Sequence, residues 1–251
     1  MQVMTTRSGG DDDAYAPLSI TDIADLCRSV VQLVEVDGAA ITVMSGTTRE
    51  LVYATDAVSQ YLDELQFTTG QGPCVDAFHR GRTVFVADLD SEAEEHWPGF
   101  AADASDGGAA ALFAFPLRGG NTVFGVLELY RASVGELSDE FAAVAQLTAD
   151  AAAISLLEAF APGLGAGQSL GDASDDSPLG DHRTRPYVNL AVGMITVQMR
   201  VSPTEALARL RAAAYSARRP VDDIAREVVE RKVRFSTDDT ASDSTTKGQP
   251  S

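Results

Sequence analysis

Six arginines, Arg185, Arg200, Arg211, Arg218, Arg219 and Arg226, are the residues of this 251-residue chain whose type and setting point most directly to chemistry. A guanidinium is a planar fork of donors that meets phosphate oxygens in pairs and stacks on flat rings. All six fall within residues 181–235, which carry 11 basic and 6 acidic residues, whereas residues 1–180 carry 7 basic and 28 acidic; the whole chain stands at -18. A positive module on a strongly acidic chain is the charge footprint of a surface for nucleic acid. Arginines that only solvate helix faces would give the same count, so charge alone leaves both readings open. Tyr187 and Tyr215 lie among the arginines, as rings for stacked bases or as helix packing.

Other chemistry is thinner. Cys74 sits in a Gly70-Gln71-Gly72-Pro73-Cys74 loop at the start of an expected helix, where the helix dipole favours a thiolate. That makes a redox sensor thinkable, although a small residue packed under a turn is the preferred reading. Cys27 falls on an apolar helix face and reads as core. Two cysteines are too few for a disulfide scaffold and suit a reduced, cytoplasmic setting. His79, His96 and His182 are scattered, so neither a metal nor a cofactor is expected. No nucleophile elbow, phosphate loop or zinc-protease pair occurs, and the chain does not read as an enzyme. No run of 18 apolar residues is present and the start, MQVMTTRSGGDDD, is no secretory signal.

The elements that must position these residues follow from periodicity. Ile20, Ile23, Leu26, Cys27, Val30, Val31 and Val34 form a helical stripe. Strands are expected at 39–44 and 50–55, a short helix at 57–65, a second from the glycine loop to Arg80, and a strand at 83–87. An irregular acidic stretch around Trp97 leads to strands at 111–117 and 123–131, joined by Gly119-Gly120-Asn121. A long helix spans 137–160. Residues 162–182, rich in Gly, Ser and Asp, read as a linker, and residues 1–17 and 236–251 as disordered tails.

Beyond the linker, Val188, Ala191, Val192, Ile195 and Met199 share one helical face. Ser202-Pro203-Thr204-Glu205 reads as a capping box with proline at the first helical position. Ala206, Leu207, Leu210, Ala213 and Ala214 line a second helix, and Val221, Ile224, Ala225, Val228 and Val229 a third beyond Pro220. The fold class expected is therefore α+β, an antiparallel sheet flanked by helices, followed by a C-terminal three-helix bundle.

Two resemblances attach to these residues. Residues 183–235 resemble the ANTAR domain, the RNA-binding module of bacterial antitermination regulators, through Ala191, Gly193 and Met194, then Ala206, Leu210, Arg211 and Ala214, then Arg219, Asp223, Ile224 and Ala225. The chain departs from that pattern at Val192, where a basic residue is usual, and at Arg218, where asparagine is frequent. Residues 18–161 are similar to a GAF domain through the glycine loop with Asp76-Ala77-Phe78, through Phe115-Pro116-Leu117, and through Gly125-Val126-Leu127 with Leu129-Tyr130. The resemblances imply a signal-responsive antitermination regulator. Its six arginines would hold RNA with paired stem-loops, and its sensory half would answer an unknown small-molecule or protein signal. Such proteins pair helices between subunits, which implies a homodimer. Tyr53, Phe67, Trp97, Phe113 and Phe115 would line a ligand pocket; the same aromatics could equally fill a solid core. A ligand- or redox-sensing interaction module without nucleic acid remains the alternative.

Overall fold

The computed structural model describes residues 20–46, 48–160 and 185–236. The linker at 162–182 and the tails at 1–17 and 236–251 lie outside the described residues, apart from Ser236. The first half runs α1 (Ile20–Leu33), β1 (Gly38–Ser45), β2 (Thr48–Ala54), α2 (Ala57–Thr69), α3 (Pro73–Arg80), β3 (Val84–Val86), α4 (Leu89–His96), α5 (Ala101–Asp106), β4 (Ala111–Gly119), β5 (Thr122–Arg131) and α6 (Asp139–Phe160). The second holds α7 (Pro186–Met199), α8 (Pro203–Ala217) and α9 (Val221–Val229).

The five strands pair in the order β2-β1-β5-β4-β3, every pair antiparallel. Strand alternation sorts the side chains onto two faces. Ile41, Phe113, Phe115, Leu127 and Leu129 meet Ile23, Cys27 and Val30 of α1 and Ala145, Ala149 and Ala152 of α6. Leu112 and Tyr130 face Leu62 of α2, Leu89 and Phe100, while Ala114 and Val126 face Cys74 and Ala77 of α3. Both faces are covered, which is why β4 reads as a continuous apolar run, ALFAF, rather than an alternating one.

Two segments differ from the sequence expectation. The acidic stretch around Trp97 is not irregular but forms α4 and α5, of eight and six residues. Helices that short have no stability of their own; Leu89, Trp97, Phe100 and Ala104, all buried with Leu112, supply it. Helix α2 continues past Leu65 to Thr69, where Gly70 closes it with φ of 68°, a left-handed backbone that favours glycine. The extra turn carries Phe67, and that residue decides how the two halves meet.

Helix α6 is long and apolar enough, by length and composition alone, to cross a membrane. Its small residues instead let it lie close on β4, with Ala145, Ala149, Ala152 and Ala153 buried. In the bundle every anticipated helix forms. The buried stripe of α7 matches the expected periodicity; on α8 Ala206, Leu207, Leu210 and Ala214 are buried and on α9 Val221, Ile224, Ala225 and Val228, while Ala213 and Val229 are only partly covered. The capping box is half made. Ser202 Oγ accepts from the Glu205 N–H at 3.2 Å, but the Glu205 carboxylate turns to Arg209 at 2.6 Å.

Candidate nucleic-acid interface

The six arginines do not form one surface. Arg185 precedes α7 and is 3% exposed. Its guanidinium reaches Asp63 at 3.3 Å and Glu64 at 2.8 Å on α2, and Asp222 at 3.2 Å on α9. It also stacks on the Phe67 ring at 3.8 Å. Arg211, in the middle of α8, lies over Phe67 at 4.9 Å. Phe67 is 1% exposed and belongs to the bundle's core with Val188, Ile195 and Leu210, although it sits on a helix of the sheet-containing half. One aromatic side chain thus plugs the bundle, with a guanidinium stacked close by from each of two of its segments.

Under that plug lies a buried polar network. Arg49 donates to Asp63 at 2.7 Å, and so does Thr42 Oγ1. Burial alone would raise the Asp63 carboxyl, but Arg49 and Arg185 hold it below the usual carboxylate range. Gln66 Nε2 donates to both Glu128 oxygens at 2.8 and 2.9 Å, and its Oε1 accepts from the Cys74 N–H at 2.8 Å. Burial pushes the Glu128 carboxyl up to about 7 against the pull of Arg49 and Gln66. Burial likewise raises the Cys74 thiol far above its ordinary value. The thiolate reading of Cys74 therefore fails, because desolvation outweighs both the helix dipole and the Arg49 guanidinium 3.5 Å away. Cys27 is core, as expected, and burial raises its thiol to about 12.

The remaining arginines face solvent. Arg200 caps α7, and Arg218 and Arg219 close the α8–α9 connection. Arg226 on α9 stacks on Tyr187 at 4.7 Å, and that ring is 37% exposed. Arg219 pairs with Glu227 at 3.0 Å. Arg200, Arg218 and Arg226 have no carboxylate within ion-pair distance among the described residues. Helix α7 is 14 residues long, so Arg200 stands about 20 Å along the axis from Arg185. Val192, which departs from the basic residue usual in the ANTAR pattern, is buried in the bundle at 6% exposure.

The five aromatics do not line one cavity. Phe113, Phe115 and Tyr53 pack with α1 and α6, Trp97 packs with α4 and α5 on the other face, and Phe67 is in the bundle. Strand alternation separates them, so the solid-core reading describes them and the ligand-pocket reading does not. On the α2 side of the sheet a narrow gap of about 140 Å³ lies between Ala40, Ser59, Leu62, Glu128 and Tyr130. Periodicity carries no sign of Asp63 and Gln66, polar residues buried on α2; a buried polar side chain is legible only from its partners.

This architecture is that of a sensor-type sheet domain joined to a helical output module. The GAF domain model matches residues 18–156, more than half of the chain, and the chain belongs to that family. The ANTAR domain model matches residues 180–229, which marks α7–α9 as a module of RNA-binding antitermination regulation. Among solved structures, the chain is similar to a domain assigned to a two-component sensor histidine kinase from Sinorhizobium meliloti 1021, at 19% identity over 56% of this chain and 92% of that one, with a TM-score of 0.46. It is also similar to the GAF domain of an Acinetobacter phosphoenolpyruvate-protein phosphotransferase, at 10% identity over 60% and 89% of the chains, with a TM-score of 0.45. A type II free methionine-R-sulfoxide reductase from Thermoplasma acidophilum aligns at 15% identity over 55% and 92%, with a TM-score of 0.41. No curated protein matches the chain.

Proposed function

We propose that this chain is a signal-responsive antitermination regulator whose α7–α9 bundle binds RNA bearing paired stem-loops. What supports this is the match of α7–α9 to the ANTAR domain together with exposed Arg218 and Arg226, neither ion-paired among the described residues, and with Arg226 stacked on Tyr187; Arg219, exposed as well, is paired with Glu227. Loop recognition of RNA relies on splayed bases stacking on rings and guanidinium planes while phosphates meet cations. Arg200 adds a contact farther along the bundle. Arg185, ion-paired with Asp63 and Glu64, and Arg211, which lies over the Phe67 ring without a carboxylate partner, reach RNA only when the bundle leaves Phe67. The unknown signal acts by shifting that docking.

The test is a gel-shift series with a dual-hairpin RNA, an unpaired mutant of it and duplex DNA. The dual hairpin should bind best, with affinity falling steeply as salt rises. Arg219→Ala and Arg226→Ala should each weaken RNA binding roughly tenfold, a loss of about 1.4 kcal/mol, while helicity stays unchanged. Equal binding of all three nucleic acids would remove the stem-loop reading.

One observation favours a second reading. Leu190 and Val197 on α7 are 57% and 78% exposed, with the exposed Gly193 between them. Spaced three and four apart, they make an apolar row that suits another helix. A bundle serving only protein interaction would use that row and show no RNA shift at all.

A further inference from the structure

We propose that the cleft between the end of α2 and the outer face of α8 is a binding site for a small oxyanion, a phosphate- or carboxylate-bearing metabolite, held by Arg211. The cleft has a volume of about 450 Å³ and is lined by Thr68, Thr69 and Gln71 on one side and by Arg211, Ala212 and Tyr215 on the other. That size suits a metabolite rather than a bare ion. Each wall belongs to a different domain, so an occupant bridges sensor and bundle.

Arg211 is the reason to expect an anion. Three guanidinium groups lie close around this junction. Arg49 has Asp63, and Arg185 has Asp63, Glu64 and Asp222. Arg211 has no carboxylate within ion-pair distance among the described residues, and its Nε is buried without a hydrogen-bond partner. Burial, then repulsion from Arg49 and Arg185, pulls its pKa down to about 10, still a cation at neutral pH. A half-buried cation without a counter-charge is costly, and the described residues supply none.

The local structure holds the group in place. Gly70 ends α2 with φ of 68°, a backbone that favours glycine, and the place a Cβ would take lies 2.9 Å from Arg211 Nη1, so the guanidinium sits close against the turn. The Phe67 ring supports it at 4.9 Å. An oxyanion meeting the fork is held by Arg211 itself, since the Thr68 and Thr69 hydroxyls already donate to Glu64 at 3.5 Å and to the Leu65 carbonyl at 2.9 Å, while Ala208, Ala212 and the Tyr215 ring offer an apolar wall to the rest of the molecule. Because the occupant touches both domains, it strengthens their docking.

The test uses the full chain without RNA, so it is independent of the stem-loop reading. Inorganic phosphate and citrate are titrated against chloride at matched ionic strength. The thermal midpoint and the emission of Trp97, the single tryptophan, are followed; Gly99, two residues on, lines the cleft. At least one probe should give a saturable rise in midpoint, and the stronger of the two shows whether phosphate or carboxylate is preferred. Arg211→Gln should raise the half-saturating concentration at least tenfold. Ala212→Glu, which puts a carboxylate into the cleft at an exposed position and leaves Arg211 untouched, should do the same. Arg209→Gln, on the same helix, should respond as the wild type. No saturable response to either probe, or an undiminished one in Ala212→Glu, overturns the proposal.

Discussion

Glu128 shows how much a single buried side chain can govern. Its carboxyl sits at about 7 because burial disfavours the charge, and the unfolded chain returns it to the ordinary range. Between those two values the native state holds a proton that the unfolded state has lost, so stability falls as pH rises through this window. Glu128→Gln should flatten the slope between pH 5 and pH 8, a difference of up to about 3 kcal/mol, in urea denaturation at stepped pH. Asp63 works in the other sense. Its carboxyl is held low, so its contribution is present above the normal carboxylate range and is lost as pH falls into acid. Arg218 is a second case. It closes α8 in the left-handed region, φ 50°, where the asparagine frequent in the resembling family pays less than arginine. Arg218→Gly should stabilise the bundle by about 1 kcal/mol while weakening RNA binding. Thermal melts and gel shifts on one protein sample separate the two effects.

Among elements, α2 carries more than its length suggests. Asp63, Gln66 and Phe67 lie within two turns yet bind the sheet, the glycine loop and the bundle respectively. Phe67 is enclosed by bundle residues, not by the sheet, so its loss should loosen docking and leave the sensory core intact. Phe67→Ala should remove about 3–5 kcal/mol from that contact. Hydrogen exchange should quicken along α8 and stay slow in α1 and α6. RNA affinity should rise in the same variant, because Arg185 and Arg211 are freed. Unchanged affinity would show that docking does not regulate the bundle.

At the scale of the molecule, α6 leaves part of itself uncovered. Leu147, Ile154 and Leu157 are 69%, 57% and 42% exposed, and their spacing of seven and three puts them on one face. Leu33, near the end of α1, is 61% exposed, and α1 packs beside α6. We propose that two copies meet here, which would bring two bundles to one paired stem-loop RNA. The double substitution of Leu147 and Ile154 by glutamate should yield a monomer in sedimentation equilibrium without loss of helicity. A wild-type chain that sediments as a monomer at micromolar concentration removes the dimer.

Local pattern sufficed for the strands and for most helices, because side-chain period reports directly which face is covered; α4 and α5, too short to show a period, and the last turn of α2 escaped it. Val188 to Met199 and the other bundle stripes were legible for that reason, and so were the hairpin at Gly120 and the charge contrast between the halves. The roles of Arg185 and Arg211 were not. Arg185 meets Asp63 across 122 positions, and nothing in the neighbourhood of either residue records the pairing. The same blindness left Phe67 open between a ligand pocket and a solid core, while the preferred reading of Cys74, a small residue packed under a turn, agrees with its burial. A chain's order states which residues want burial or carry charge; which partner neutralises a charge, and which cation is left without one, is settled only when distant segments are brought together.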